Sequence, residues 1–212
     1  MKILFLTDSL SLPRENNEFE SVTFEQTYLH KLRMSYKDDV IIDCAIGGAR
    51  ISELKSQCFY YKFFEPDIVF IQSGIVDCCP RAYSKLTAKV INKLGLRSKM
   101  KKVNFFLRKY RNYTFTSKNK FRDTLIEIKN LFPKSTFYSI GIINGIEGYE
   151  QIVPGVKKNI NEYNLILKQN TKYIDISSVG IDDIMKDYHH LNILGHKKLF
   201  SLIKNEISSF KK

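Results

Sequence analysis

The chain has 212 residues, with 34 Lys and Arg against 22 Asp and Glu, and 43% of its residues are hydrophobic, including 15 Phe and 12 Tyr. That composition excludes an intrinsically disordered chain and suits one domain over residues 1–212. The net charge of +12 is uneven: Arg81 to Arg122 holds 14 Lys and Arg and no acid, leaving 20 basic and 22 acidic residues, or −2, elsewhere.

Lys2–Leu6 is a short apolar run cut off at Asp8, a first strand too brief for a signal h-region. Thr23–Met34 reads as a helix after a Ser/Thr start, and Val40–Ala45 as a second strand. Ile51–Phe64 is a helix with an aromatic face, and Asp67–Ile71 a third strand. Two helical stretches, about Tyr83–Leu94 and Lys99–Arg111, form a basic helical insertion over about residues 81–117. Helix Asn119–Phe132, strand Thr136–Ile140, helix Val156–Gln169 and strand Tyr173–Ile176 follow. The last helix, Leu194–Phe210, places Leu199, Ile203, Ile207 and Phe210 on one stripe. None of the strands alternates, as expected for strands covered on both faces. The fold expected is α/β: a three-layer α/β/α domain around a flavodoxin-like five-stranded parallel sheet.

No run approaches the roughly 18 apolar residues of a membrane span. Cys44, Cys58, Cys78 and Cys79 have neither a CxxC spacing nor the density of a disulfide framework, so buried packing in a reducing compartment is expected. The location expected is cytoplasmic, with peripheral membrane contact as a variant.

Ligands of parallel sheets bind beyond the carboxyl ends of the strands. Those positions hold Thr7-Asp8-Ser9-Leu10, Ile46-Gly47-Gly48, Ser73-Gly74-Ile75-Val76-Asp77 and Gly141-Ile142-Ile143-Asn144; Asp187-Tyr188-His189-His190-Leu191-Asn192 comes after strand five. A hydroxyl needs a base to become a nucleophile. His190 can be that base for Ser9, and Asp187, three residues earlier, can hold its other ring nitrogen. His189 is expected in a neutral structural role and His196 in the first turn of the final helix. No G-x-S-x-G elbow, P-loop, G-x-G-x-x-G or H-E-x-x-H is present.

The order of these blocks, from Thr7 to Asn192, resembles the SGNH (GDSL-type) hydrolase superfamily. Thr7-Asp8-Ser9-Leu10 keeps three of the four residues of the Gly-Asp-Ser-Leu block, and the resemblance makes Ser9 the nucleophile. It maps the oxyanion-hole glycine to Gly48, with Gly47 as the alternative, so the amides of Ser9 and Gly48 would form the hole. Gly74-Ile75-Val76-Asp77 stands for Gly-x-Asn-Asp, and Asp187 with His190 for Asp-x-x-His. Thr7 replaces a glycine. Val76 replaces an asparagine that donates to the oxyanion, and valine donates nothing; Arg81 or Asn144 could fill that place. Gly74 to Arg81, with Leu12-Pro13-Arg14, is similar to a subgroup associated with bacterial surface-polysaccharide loci.

The resemblance implies a serine esterase or deacetylase that removes an acyl group, acetyl foremost, from a carbohydrate, with no metal and no cofactor. The alternatives are an O-acyltransferase acting on a polysaccharide or lipid-linked glycan, and a non-catalytic glycan- or polyanion-binding module. Asp8, Arg14, Gly74, Val76, Asp77, Arg81 and Asn144 are the expected substrate-binding residues. Arg14 and Arg81 each follow a proline, and a guanidinium clamps carboxylate or phosphate bidentately unless a nearby acid such as Glu15 or Asp77 occupies it. Residues 81–122 suit a solvated amphipathic pair with its aromatics packed inward, or an anionic glycan or membrane surface; nucleic acid has no motif in support.

Overall fold

The computed structural model describes residues 1–17, 20–96 and 99–211. Strand β1 (Lys2–Thr7) leads through a single turn of 3₁₀ helix, Ser9–Ser11, into a small hairpin of β2 (Arg14–Asn17) and β3 (Glu20–Val22). Helix α1 (Tyr28–Ser35), β4 (Val40–Ala45), α2 (Ile51–Tyr61), β5 (Ile68–Gln72) and the short α3 (Ile75–Cys78) follow. The basic segment forms α4 (Lys85–Lys93) and α5 (Lys101–Arg111). The chain then runs through α6 (Lys118–Asn130), β6 (Thr136–Ile140), α7 (Glu147–Ile152), α8 (Val156–Asn170), β7 (Lys172–Ile174) and α9 (Ile193–Phe210).

Five strands make one sheet in the order β4-β1-β5-β6-β7, and every neighbouring pair is parallel. This is the three-layer α/β/α arrangement expected. Side chains divide by the period of two of a strand. Leu4, Leu6, Val69, Ile71 and Phe137 face one core with residues of α2, α6 and α8. Ile3, Phe5, Ile68, Phe70 and Tyr138 face the other with residues of α1 and α9. Phe5, Phe70 and Tyr138 stack across three strands at centroid spacings of 4.8 and 5.1 Å, each contact adding about 0.5–1.5 kcal/mol beyond area burial.

Several boundaries differ from the expected ones for local reasons. The Thr23–Met34 stretch breaks into a 3₁₀ turn, Phe24–Gln26, and α1, because Thr27 is extended and its hydroxyl accepts from the His30 amide at 3.3 Å as an N-cap. Helix α2 stops at Tyr61 and a 3₁₀ turn ends at Glu65, whose φ of 47° cannot continue a helix. The third and fifth strands are shifted by a residue and shortened, respectively. The β2–β3 hairpin, α3 and α7 are absent from the sequence reading, being too short to show a period.

The sheet order fixes where a ligand would sit. The chain leaves β1 for β4 on one side and crosses back to β5 on the other. The carboxyl ends of β1 and β5, paired at Thr7 and Gln72, therefore flank the crevice at the topological switch point.

Candidate active site

Ser9 follows β1 directly, on a turn closed by its neighbours. The Asp8 carboxylate accepts from the Leu10 amide at 3.0 Å, and the Thr7 and Ser11 hydroxyls meet at 2.6 Å. Thr7 ends β1 in extended backbone, so the residue in place of the family's glycine carries no strain. Ser9 itself is 8% exposed, and its Oγ lies 3.0 Å from His190 Nε2.

His190 is delivered by the loop before α9. Its carbonyl accepts from Met185, and Asn192 caps α9, with Oδ1 accepting from the Leu194 and Gly195 amides. Asp187 organises the turn: Oδ1 accepts from the His189 and His190 amides at 3.2 and 3.1 Å, while Oδ2 is 2.7 Å from His190 Nδ1. Tyr188 between them has φ 66°, a left-handed turn residue whose amide donates a hydrogen bond to the Met185 carbonyl at 2.9 Å. Burial would raise the Asp187 carboxyl. The His190 hydrogen bond, the charges of His189 and His190 and the His189 amide together outweigh it and hold the group well below the usual carboxylate range. An ionised Asp187 can only accept, so His190 carries its proton on Nδ1 and presents the Nε2 lone pair to the Ser9 hydroxyl. The three groups form one hydrogen-bonded series.

His189 uses its own Nδ1 on the Asp187 carbonyl at 2.8 Å and stacks on Tyr149 with centroids 5.4 Å apart. Burial and the neighbouring His190 lower its pKa. His196 is buried, accepts from the Tyr28 amide at 3.2 Å and is pushed down to about 4 by burial, so it stays neutral inside the protein. Donor atoms of Asp187, His189 and His190 lie within 4.8 Å of one another, but a cation there would have to break the Asp187–His190 bond.

A cleft of about 490 Å³ opens over Ser9. Of the residues expected at the site, it brings together Ser9, Arg14, Gly48, Val76, Arg81, Asp187 and His190, with Gly47 beside them. Gly48 has φ 69°, a turn conformation that a side chain would strain. Neither the Ser9 nor the Gly48 amide donates to a carbonyl among the described residues.

Four expected substrate contacts lie elsewhere. Asp8 is fully buried beneath Ser9, engaged by Leu10. Asp77 is fully buried too, accepting from the Ile51 amide at 3.0 Å and from the Ser73 and Thr116 hydroxyls, which ties the loop after β5 to the start of α2. Gly74 is a packing residue, since a Cβ there would stand 2.4 Å from Ile142 Cδ1. Asn144 is exposed and does not line the cleft, so it is no substitute for the missing asparagine. His189 lines the cleft as well, and Ile75, Cys79, Arg108, Tyr149, Ile152 and Val153 complete the lining without a sequence signal that pointed to them. Arg108 was hidden among the lysines of α5, and Tyr149 to Val153 belong to α7 and its end, which show no readable period.

The carboxyl of Asp8 is pushed up to about 7, chiefly by burial and further by Asp77, against the lowering bond from Leu10. A raised folded pKa means that the folded state holds the proton more tightly. The contribution is therefore complete below the unfolded value near 3.8 and is lost as pH rises through about 7. Asp8→Asn is expected to raise the melting temperature relative to wild type at pH 8 and much less at pH 5, the difference growing by up to about 1.4 kcal/mol per pH unit between. Equal shifts at both pH values would show that Asp8 ionises freely in the folded protein.

No family model matches the sequence, and no curated protein matches it. The fold does match solved structures over almost the full length of both partners. A lipase/acylhydrolase from Enterococcus faecalis superposes with a TM-score of 0.69 at 16% identity, covering 98% of this chain and 95% of that one. A member of the lipolytic G-D-S-L family from Veillonella parvula gives 0.62 at 12% identity, covering 96% of each. The chain has the SGNH hydrolase fold. A variant of the acetyl-xylooligosaccharide esterase from Geobacillus stearmophilus gives 0.61 at 17% identity, covering 97% and 93%. In this SGNH fold the Ser9 turn, the Gly48 loop and the Asp187–His190 loop meet at one crevice, although they are separated by up to 181 positions in sequence.

The basic segment departs from one expectation. Phe105, Phe106 and Tyr110 of α5 do not pack inward; they are 45%, 58% and 66% exposed beside the lysines. Among the described residues, no helix is long and apolar enough to cross a membrane.

Proposed function

We propose that the chain is a serine ester hydrolase that removes an acyl group, acetyl foremost, from a carbohydrate. The observation that carries this reading is the series from Ser9 Oγ through His190 to Asp187, opening into a cleft beside Gly48. Ser9 Oγ attacks the ester carbonyl carbon while its proton passes to His190 Nε2, and Asp187 stabilises the imidazolium. The amides of Ser9 and Gly48 hold the oxyanion. Collapse breaks the bond to the sugar oxygen, which takes the proton from His190 Nε2 and leaves as the sugar hydroxyl. Water then attacks the acyl carbon and gives a proton to His190; collapse breaks the bond to Ser9 Oγ, which takes that proton back as the carboxylic acid leaves. Similarity to an acetyl-xylooligosaccharide esterase supports the carbohydrate class.

Acetate released from acetylated xylo-oligosaccharides and from p-nitrophenyl acetate tests the reading. Acetyl appearing on an added sugar acceptor instead of in solution would make the protein an O-acyltransferase working through the same acyl-enzyme. No turnover of either ester, together with no covalent labelling of Ser9, would leave only a binding module.

Val76 favours a slow enzyme, because it lines the cleft without a donor. Val76→Asn is expected to raise kcat on p-nitrophenyl acetate by about tenfold or more with little change in KM, since one oxyanion donor is worth about 10²–10³ in a well-studied protease. An unchanged kcat in a folded variant would show that the amides suffice.

A further inference from the structure

Three arginines from separate parts of the chain line the cleft above Ser9: Arg14 at the start of β2, Arg81 in the loop after α3 and Arg108 in α5. None forms an ion pair with a carboxylate among the described residues. Each has its Nε buried without a hydrogen-bond partner. Arg81 is held by its backbone, donating to the Tyr113 carbonyl at 2.7 Å, and its guanidinium lies 4.7 Å from the Phe115 ring centre. Arg108 makes one long bond, 3.4 Å, to the Ile152 carbonyl across the cleft. Among the described residues the one carboxylate in the lining, Asp187, is engaged by His190.

Three unneutralised guanidinium groups around one crevice are unfavourable unless an anion joins them, and buried Nε–H donors gain most from a charged acceptor. Surface arginines of a basic protein would instead lie in water or against acids, as Arg33 does with Asp43 and Arg122 with Asp123. We infer that the ester substrate carries an oxyanion group, a carboxylate or a phosphate, which Arg14, Arg81 and Arg108 bind while Ser9 attacks the acyl group. The inference deepens the hydrolase reading and rests on it for the role of Ser9. It turns the lining of the site into a statement about substrate class: an acylated acidic sugar or an acylated sugar phosphate.

Binding separates this inference from catalysis. Ser9→Ala protein is titrated, with calorimetry or protein NMR as the readout, against mono-O-acetyl glucuronate, mono-O-acetyl glucose 1-phosphate and neutral mono-O-acetyl glucose. At least one anionic ligand is expected to bind about 10- to 100-fold more tightly than the neutral one. The anion that binds better identifies the source as a uronate or a phosphate. The preference should shrink in Arg14→Gln, Arg81→Gln and Arg108→Gln, and more when the three are combined, with Arg→Lys variants intermediate because they keep the charge and lose the fork. Circular dichroism and melting temperature confirm that each variant is folded. Equal affinity for all three ligands, or a preference that survives all three Arg→Gln changes, would overturn the inference even if wild type hydrolyses esters. With wild-type protein, the ratio of kcat/KM for anionic over neutral ester should follow the same order. Loss of all turnover with the binding preference intact would instead count against the hydrolase reading.

Discussion

Hydrolysis of p-nitrophenyl acetate is expected to fall by about 10⁴–10⁶ in kcat when Ser9 becomes alanine, with KM nearly unchanged. The Oγ is the atom that would form the covalent bond, and among the described residues it makes one hydrogen bond, to His190 Nε2. The Asp8 carboxylate and the Thr7–Ser11 hydroxyl pair hold the turn without it. Removing the hydroxyl should therefore cost under about 1 kcal/mol of stability, so lost activity and lost fold are separable by a melting curve. Activity within tenfold of wild type would mean that some other group, or a bound water, performs the attack.

Asp187→Asn is expected to lower kcat by about 10³–10⁴, as the equivalent change does in a serine protease. An amide oxygen could still accept from the His189 and His190 amides, so the loop can keep its course. The amide nitrogen would then face His190 Nδ1 and donate to it, moving the imidazole proton to Nε2, where it faces Ser9 and removes the base. The same substitution has a pH signature. Burial opposes ionisation of Asp187, yet its bonds to His190 and the His189 amide win and depress its pKa. That stability is present above the unfolded value of about 4 and is lost as pH falls below it, so wild type should lose an advantage over the Asn variant in acid. Retained activity at neutral pH would show that His190 is oriented by something other than Asp187.

Much of this was legible in the sequence because it rests on local rules. Apolar runs of Ile, Val and Phe marked the five sheet strands, and the stripe of Leu199, Ile203, Ile207 and Phe210 marked α9. Asp187 and His190 could be paired from a spacing of three. What stayed hidden depends on tertiary packing. Asp8 and Asp77 look like cleft residues on paper, but each carboxylate is captured by a backbone amide below the crevice, at Leu10 and Ile51. Arg108 looks like one more basic residue of an amphipathic helix, and only the placement of α5 brings it to the cleft with Arg14 and Arg81. Tyr149 reaches His189 from a helix of six residues, shorter than two turns. The basic segment thus has two faces: Lys89, Lys93, Lys102 and Lys109 are exposed on α4 and α5, while Arg81 and Arg108 line the cleft over Ser9.

The most direct measurement is covalent labelling with a serine-reactive fluorophosphonate, read by intact mass and peptide mapping. Wild type is expected to gain one adduct, mapped to Ser9, while Ser9→Ala gains none and His190→Ala reacts far more slowly. An unlabelled wild-type protein, or an adduct that persists in Ser9→Ala, would contradict the assignment of Ser9 as the nucleophile.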